Sequence, residues 1–344
     1  MIYKNVELYN VYELVEIGKE KNIISRIPDV LRKHLKQNEY LQTRALMPDG
    51  CEIRFNLKSD IGKIMLQAKD KGAGGIYEIY QGNFFHSFQW ISDEITTITL
   101  KREDLLSNSK KLKILTEKNG LPFDPILTRI ILPRSIILKI VDIEGNFDIP
   151  EKEQVPSIKY LSYGSSITQG QSAIRPTGSY VMRTAQLLGV DLINLGFGGG
   201  AHLEKEMADY IAEKVKWNFA TLEMGINMLY NFEVEEFKKR VEYFIPTIKE
   251  KNPDKYIFCI DIFTFGSDFF DDCNGKEKKF REIVKKTVES LNNEKVIYIP
   301  GTEILKNVDG LGVDLVHPSP SGMEEIAWNL SSIIKPKIKQ ENNI

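Results

Sequence analysis

The sequence is poor in the residues that mark stapled, metal-held or membrane-embedded proteins. Its three cysteines, Cys51, Cys259 and Cys273, are odd in number and show no C-x-x-C spacing, which argues against a disulfide framework or a cysteine zinc site. Its four histidines, His34, His86, His202 and His317, have no paired zinc spacing, and Asp268, Asp271 and Asp272 lack the register of an EF-hand loop. Neither a metal nor a cofactor is therefore expected, and the acidic stretch reads as solvated. No run approaches 18 apolar residues without a charge, so no membrane span is expected. The first twenty residues intersperse charges where a secretion signal would have an apolar core, so a cytoplasmic location is expected. Charge of one sign is also missing. With 46 Lys+Arg against 48 Asp+Glu, the formal charge of −2 provides no footprint for nucleic acid or an anionic membrane.

What is present is ordinary soluble composition, 42% hydrophobic and 27% charged, over 344 residues, enough for about two domains. Two halves differ in pattern. Segments 51–57 (CEIRFNL), 75–80 (GIYEIY), 84–91 (FFHSFQWI), 95–100 (ITTITL) and 129–143, the last bent at Pro133, are rich in β-branched and aromatic residues. Turn signals such as Pro48-Asp49-Gly50 and Gln81-Gly82-Asn83 separate them. This predicts an antiparallel β-sandwich, jelly-roll-like, over residues 1–153. Tyr77, Tyr80 and Trp90 in it could stack on sugar rings, although aromatics at strand spacing are more often core. After the charged linker at 151–157, apolar runs at 158–163, 192–197, 219–224, 256–263 and 296–300 alternate with helical patterns at 180–188, 203–215, 234–249, 278–291 and 321–334. That alternation predicts a five-stranded parallel sheet in a three-layer α/β/α domain over 157–336, followed by a polar tail at 337–344.

In open α/β sheets ligands bind beyond the carboxyl ends of the strands, and four of those positions are unusual. Tyr163-Gly164-Ser165-Ser166-Ile167 follows the first strand: a serine exposed at a strand-to-helix turn, or simply an N-cap cluster. Asn194-Leu195-Gly196-Phe197-Gly198-Gly199-Gly200 follows the second. Its glycines allow close approach and can present N–H groups to an anion. A dinucleotide fingerprint and a bare tight turn compete with that reading, but the former would belong after the first strand. Asn227, after Met224-Gly225-Ile226, could donate an amide hydrogen bond into the cleft. Beyond the last strand, Asp314-Leu315-Val316-His317 spaces a carboxylate and an imidazole as the orienter and base of a serine hydrolase, or as solvated loop residues. Phe263, Phe265, Phe269 and Phe270 could wall a pocket or fill the core, and His202 reads as a polar residue at a helix start.

Taken in order, these blocks resemble the SGNH (GDSL-type) hydrolase family over residues 158–334, in its two-domain subgroup with an N-terminal β-sandwich like a carbohydrate-binding module. The resemblance implies Ser166 as nucleophile, His317 as base and Asp314 as its orienter, with the N–H groups of Ser166 and Gly199 and the Asn227 amide as the oxyanion hole. Ser165 and Met228 depart from the aspartates usual at those positions. The implied activity is a serine esterase or acylhydrolase acting on a small acyl ester or acylated carbohydrate. An acyltransferase using an alcohol acceptor and a glycan-binding protein with a vestigial hydrolase domain are the alternatives.

Overall fold

A computed structural model describes residues 1–270 and 272–342, so Asp271 of the acidic stretch lies outside the described residues. Among the described residues, the N-terminal half forms two antiparallel sheets packed face to face. One carries the strands Val6–Tyr9, Glu52–Leu57, Thr128–Ile131, Gly75–Gln81 and Phe84–Ile91, and the other Glu13–Ile17, Glu20–Ser25, Leu138–Glu144, Ile61–Ala68 and Thr96–Lys101. Their facing residues, including Ile53, Phe55 and Ile130 from one sheet and Ile24, Leu66 and Ile140 from the other, make an apolar core. Residues 129–143, expected as one bent strand, are two strands in different sheets. The helices Asp29–His34, Glu39–Arg44 and Ser109–Asn119 were not anticipated. The last buries no side chain and is bounded by Asn108 and a left-handed Gly120, so its only sequence signal was in its ends.

The C-terminal half holds the predicted parallel sheet. Its strands Lys159–Gly164, Asp191–Gly196, Phe219–Glu223, Tyr256–Ile260 and Val296–Ile299 lie in the order second, first, third, fourth, fifth. The reversal between first and second strands creates a crevice at their carboxyl ends. Helices cover both faces, and Phe237, Val241, Phe244 and Ile248 show why Val234–Lys251 packs: its apolar residues recur at helical spacing and all are buried. The last helix, Pro320–Asn342, continues beyond residue 334 and into the segment expected as a polar tail, because Ile338 still packs on the core. Asp268 is not solvated as expected; Arg281, from the helix Lys276–Ser290, binds both of its carboxylate oxygens.

The strand Glu52–Leu57 is buried at every position. Alternate side chains of a strand point to opposite faces: Ile53 and Phe55 enter the sandwich core, whereas Glu52 and Arg54 face the parallel sheet. There Arg54, 1% exposed, binds Asp191 through two nitrogens at 2.8 and 2.6 Å and Glu52 at 2.8 Å, while Arg129 also holds Glu52. Burial works to raise the Glu52 carboxyl, but the Arg129 and Arg54 guanidiniums outweigh it and hold it at about 2. Its contribution to stability is thus complete above the ordinary carboxylate range and is lost as pH falls toward that value. Asp191→Ala leaves the buried guanidinium short of a counter-ion. It is expected to lower unfolding stability in urea by about 3–5 kcal/mol; a loss below about 1 kcal/mol would show that this junction is not tightly packed.

Candidate active site

The first strand ends at Gly164, where any side chain would collide: a Cβ would lie 2.3 Å from Thr168 Oγ1 and 2.5 Å from a Glu223 carboxylate oxygen. The next two serines divide two tasks. Ser165 is buried and caps the short helix Ser166–Gln169, its Oγ accepting the Ile167 N–H at 3.1 Å. Ser166, at the first helical position, is only half-buried and points its Oγ at His317 Nε2, 2.7 Å away. The capping explanation for this serine pair is therefore correct for Ser165 and leaves Ser166 free.

His317 Nδ1 in turn lies 2.7 Å from Asp314 Oδ2. Asp314 Oδ1 accepts the backbone N–H groups of Val316 at 3.0 Å and His317 at 2.9 Å, so the loop closes on its own carboxylate. Burial acts to raise the Asp314 carboxyl, but the hydrogen bonds from the His317 ring and from these two N–H groups prevail and hold it below its usual value. The chain Ser166–His317–Asp314 thus joins residues from the first strand and from the loop after the fifth.

Three donors expected for an oxyanion are without an acceptor among the described residues. Gly199 stands at φ +73°, a conformation that favours glycine, and its N–H meets no acceptor among the described residues. The Ser166 N–H is likewise unspent at the start of its helix. The Asn227 Oδ1 accepts the Ala201 N–H at 3.2 Å, which orients the amide and leaves its Nδ2 to donate elsewhere. Met228, at the position where a carboxylate was missing, is fully buried in the core, so an apolar residue fits there.

Several participants were not singled out from the sequence. Glu223, at the end of the third parallel strand, is buried beneath the serine turn and accepts the Ser165 N–H at 2.6 Å and the Thr168 hydroxyl at 3.1 Å. Desolvation raises its carboxyl, against these hydrogen bonds. Gln169 bridges the two loops: its Oε1 accepts the Gly198 N–H and its Nε2 donates to Asp49, each at 2.7 Å. Asp49 and Tyr40 belong to the N-terminal half, and the Tyr40 ring lies against Gly199. His202, expected as a helix-start residue, instead packs on Phe232 and hydrogen-bonds the Gly199 backbone; desolvation lowers its imidazole to about 4. Phe263 and Phe265 are core, while Phe269 and Phe270 are exposed. Among the described residues no cluster of three or more His, Cys, Asp or Glu side chains is arranged for a metal ion, and no helix is long and apolar enough to cross a membrane.

Known structures share this architecture. A salicylyl-acyltransferase from a tetracycline biosynthetic pathway superposes over 97% of this chain and 95% of its own, with a TM-score of 0.77 at 16% identity. A family two carbohydrate esterase from Clostridium thermocellum, solved with cellohexaose, covers 85% of this chain and 95% of its own at TM-score 0.57 and 15% identity. An acetyl xylan esterase from the rumen bacterium Butyrivibrio proteoclasticus covers 84% and 90% at TM-score 0.56 and 15% identity. At such identities the likeness establishes the fold. No curated protein matches the sequence. Residues 159–335, just over half of the chain, match the GDSL-like lipase/acylhydrolase family, and the chain belongs to that family.

Proposed function

We propose that the protein is a serine esterase that cleaves a small carboxylic ester through an acyl-enzyme on Ser166. The observation that carries this reading is the pair of 2.7 Å hydrogen bonds linking Ser166, His317 and Asp314. His317 Nε2 takes the hydroxyl proton as Ser166 Oγ attacks the ester carbon, and the ring returns that proton to the leaving alcohol. Asp314 holds the imidazole and offsets its positive charge. The N–H groups of Ser166 and Gly199 and the Asn227 Nδ2 receive the negative charge on the carbonyl oxygen. Water activated by the same imidazole then releases the acid.

An acylated carbohydrate, such as an O-acetylated sugar, is the substrate class this reading favours, with residues 1–153 serving as a carbohydrate-binding-module-like unit and 157–336 as the catalytic unit. The exposed Trp90 supports a sugar-stacking role for it, whereas Tyr77 and Tyr80 are buried and are removed as candidates. The enzyme would work in the cytoplasm, without nucleic acid or a membrane. A bound alcohol in place of water would make the same site an acyltransferase, a second reading favoured by the likeness to the salicylyl-acyltransferase over nearly the whole chain. A vestigial site is disfavoured because Ser166, His317 and Asp314 form a continuous hydrogen-bonded chain and Asn227 is retained.

Nitrophenyl esters of graded acyl length, quenched early and analysed by mass spectrometry, are expected to leave the acyl mass on the peptide containing Ser166. Turnover with the adduct on another residue would overturn the assignment. Repeating the reaction with candidate alcohols divides the readings, since an acyltransferase yields the new ester in preference to the free acid.

A further inference from the structure

The loop that carries Gly199 is held from outside its own half of the chain. Arg26, 2% exposed, donates to the Asn194 carbonyl at 2.9 Å and the Gly196 carbonyl at 2.8 Å. Asn38 donates to the Gly200 carbonyl at 2.8 Å, and Arg44 Nε donates to the Gly198 carbonyl at 3.3 Å. Arg44 ends the helix Glu39–Arg44, which Asn38 caps through the Leu41 N–H and which Leu41 anchors against Gly200, while Arg26 also donates to the Arg44 carbonyl at 2.8 Å.

One of these contacts reaches the chemistry directly. The Gly198 carbonyl and the Gly199 N–H belong to a single peptide group, and a trans peptide is planar with its C=O and N–H pointing in opposite directions. Holding the Gly198 oxygen toward Arg44 therefore aims the Gly199 N–H the opposite way. Flanked by glycines, this peptide has little steric resistance to rotating as a unit; rotated, it would present a carbonyl oxygen where a donor is needed. A cation on the carbonyl also polarises the amide and strengthens its N–H as a donor.

The geometry points to Arg44 as a positioning residue that orients and polarises the Gly199 N–H for the developing oxyanion. The inference rests on the oxyanion role given to Gly199 above and assigns control of that donor to the N-terminal half. Arg44 does not touch the substrate in this role, so its removal affects the transition state more than ground-state binding.

The test uses the full chain and a short nitrophenyl ester. Losing an oxyanion donor outright costs about 10²-fold to 10³-fold, so Arg44→Ala, which misdirects one, is expected to lower kcat about 10-fold to 100-fold with KM little changed. Affinity for a trifluoromethyl ketone, which forms a tetrahedral adduct with the serine, should fall by a similar factor. Arg44→Lys should recover part of the rate, and millimolar guanidinium should partly rescue Arg44→Ala. Unchanged kcat and ketone affinity in a folded Arg44→Ala would overturn the inference, as would a loss that neither lysine nor guanidinium restores. Acylation of Ser166 in the wild type is measured separately, so failure of the esterase reading is distinguishable from failure of this one.

Discussion

Ser166→Ala is expected to reduce kcat on a short ester by about 10⁶-fold while the protein remains folded. The side chain is half-buried, its Oγ has His317 as hydrogen-bond partner, and the helix cap beside it is supplied by Ser165. Removing one hydroxyl therefore leaves the turn, its cap and the 166 N–H in place. The donors proposed at Ser166, Gly199 and Asn227 survive as well, so a residual rate about 10³-fold above water should persist. Steady-state kinetics with circular dichroism and thermal melting checks the prediction. A folded variant within about 100-fold of the wild type would mean that another group performs the attack.

The second large effect is expected for Asp314→Asn, a loss of about 10⁴-fold in kcat. Asp314 Oδ1 is committed to the two backbone N–H groups of Val316 and His317. In the asparagine variant the single remaining oxygen takes that place, so the NH₂ must face His317 Nδ1. An NH₂ there can only donate, and the ring proton is forced onto Nε2. That nitrogen then cannot accept the Ser166 proton. The fold should be unaffected, because Asp314 lies on an exposed loop and the backbone contacts are preserved. A pH–rate profile of the variant with near-normal kcat would show that the 2.7 Å contact is not the one that sets the tautomer.

Strand and helix patterns of the C-terminal half were legible because each element carries its own periodicity. The helix Tyr180–Leu188 begins and ends at the expected residues, and the five parallel strands lie within a few residues of the expected bounds. The motif residues were legible because they follow strand ends, where side chains must serve a turn or a ligand. The N-terminal half was read less completely. The strands Val6–Tyr9, Glu13–Ile17, Glu20–Ser25 and Ile61–Ala68 mix charged and apolar residues, and the short helices Asp29–His34 and Glu39–Arg44 are too brief to show a period.

From the residue order alone come the antiparallel N-terminal sheets, the parallel sheet and the identity of Ser166, Gly199, Asn227, Asp314 and His317 as candidates. All of these depend on local periodicity or on residue types at strand ends. Tertiary structure decided which serine caps and which faces the imidazole, and it placed Glu223 under the turn. It also brought Arg26, Asn38 and Arg44 onto a loop more than 150 positions away. Such pairings leave no periodic trace, because a carbonyl oxygen is present at every residue and only the packed chain determines which side chain reaches it.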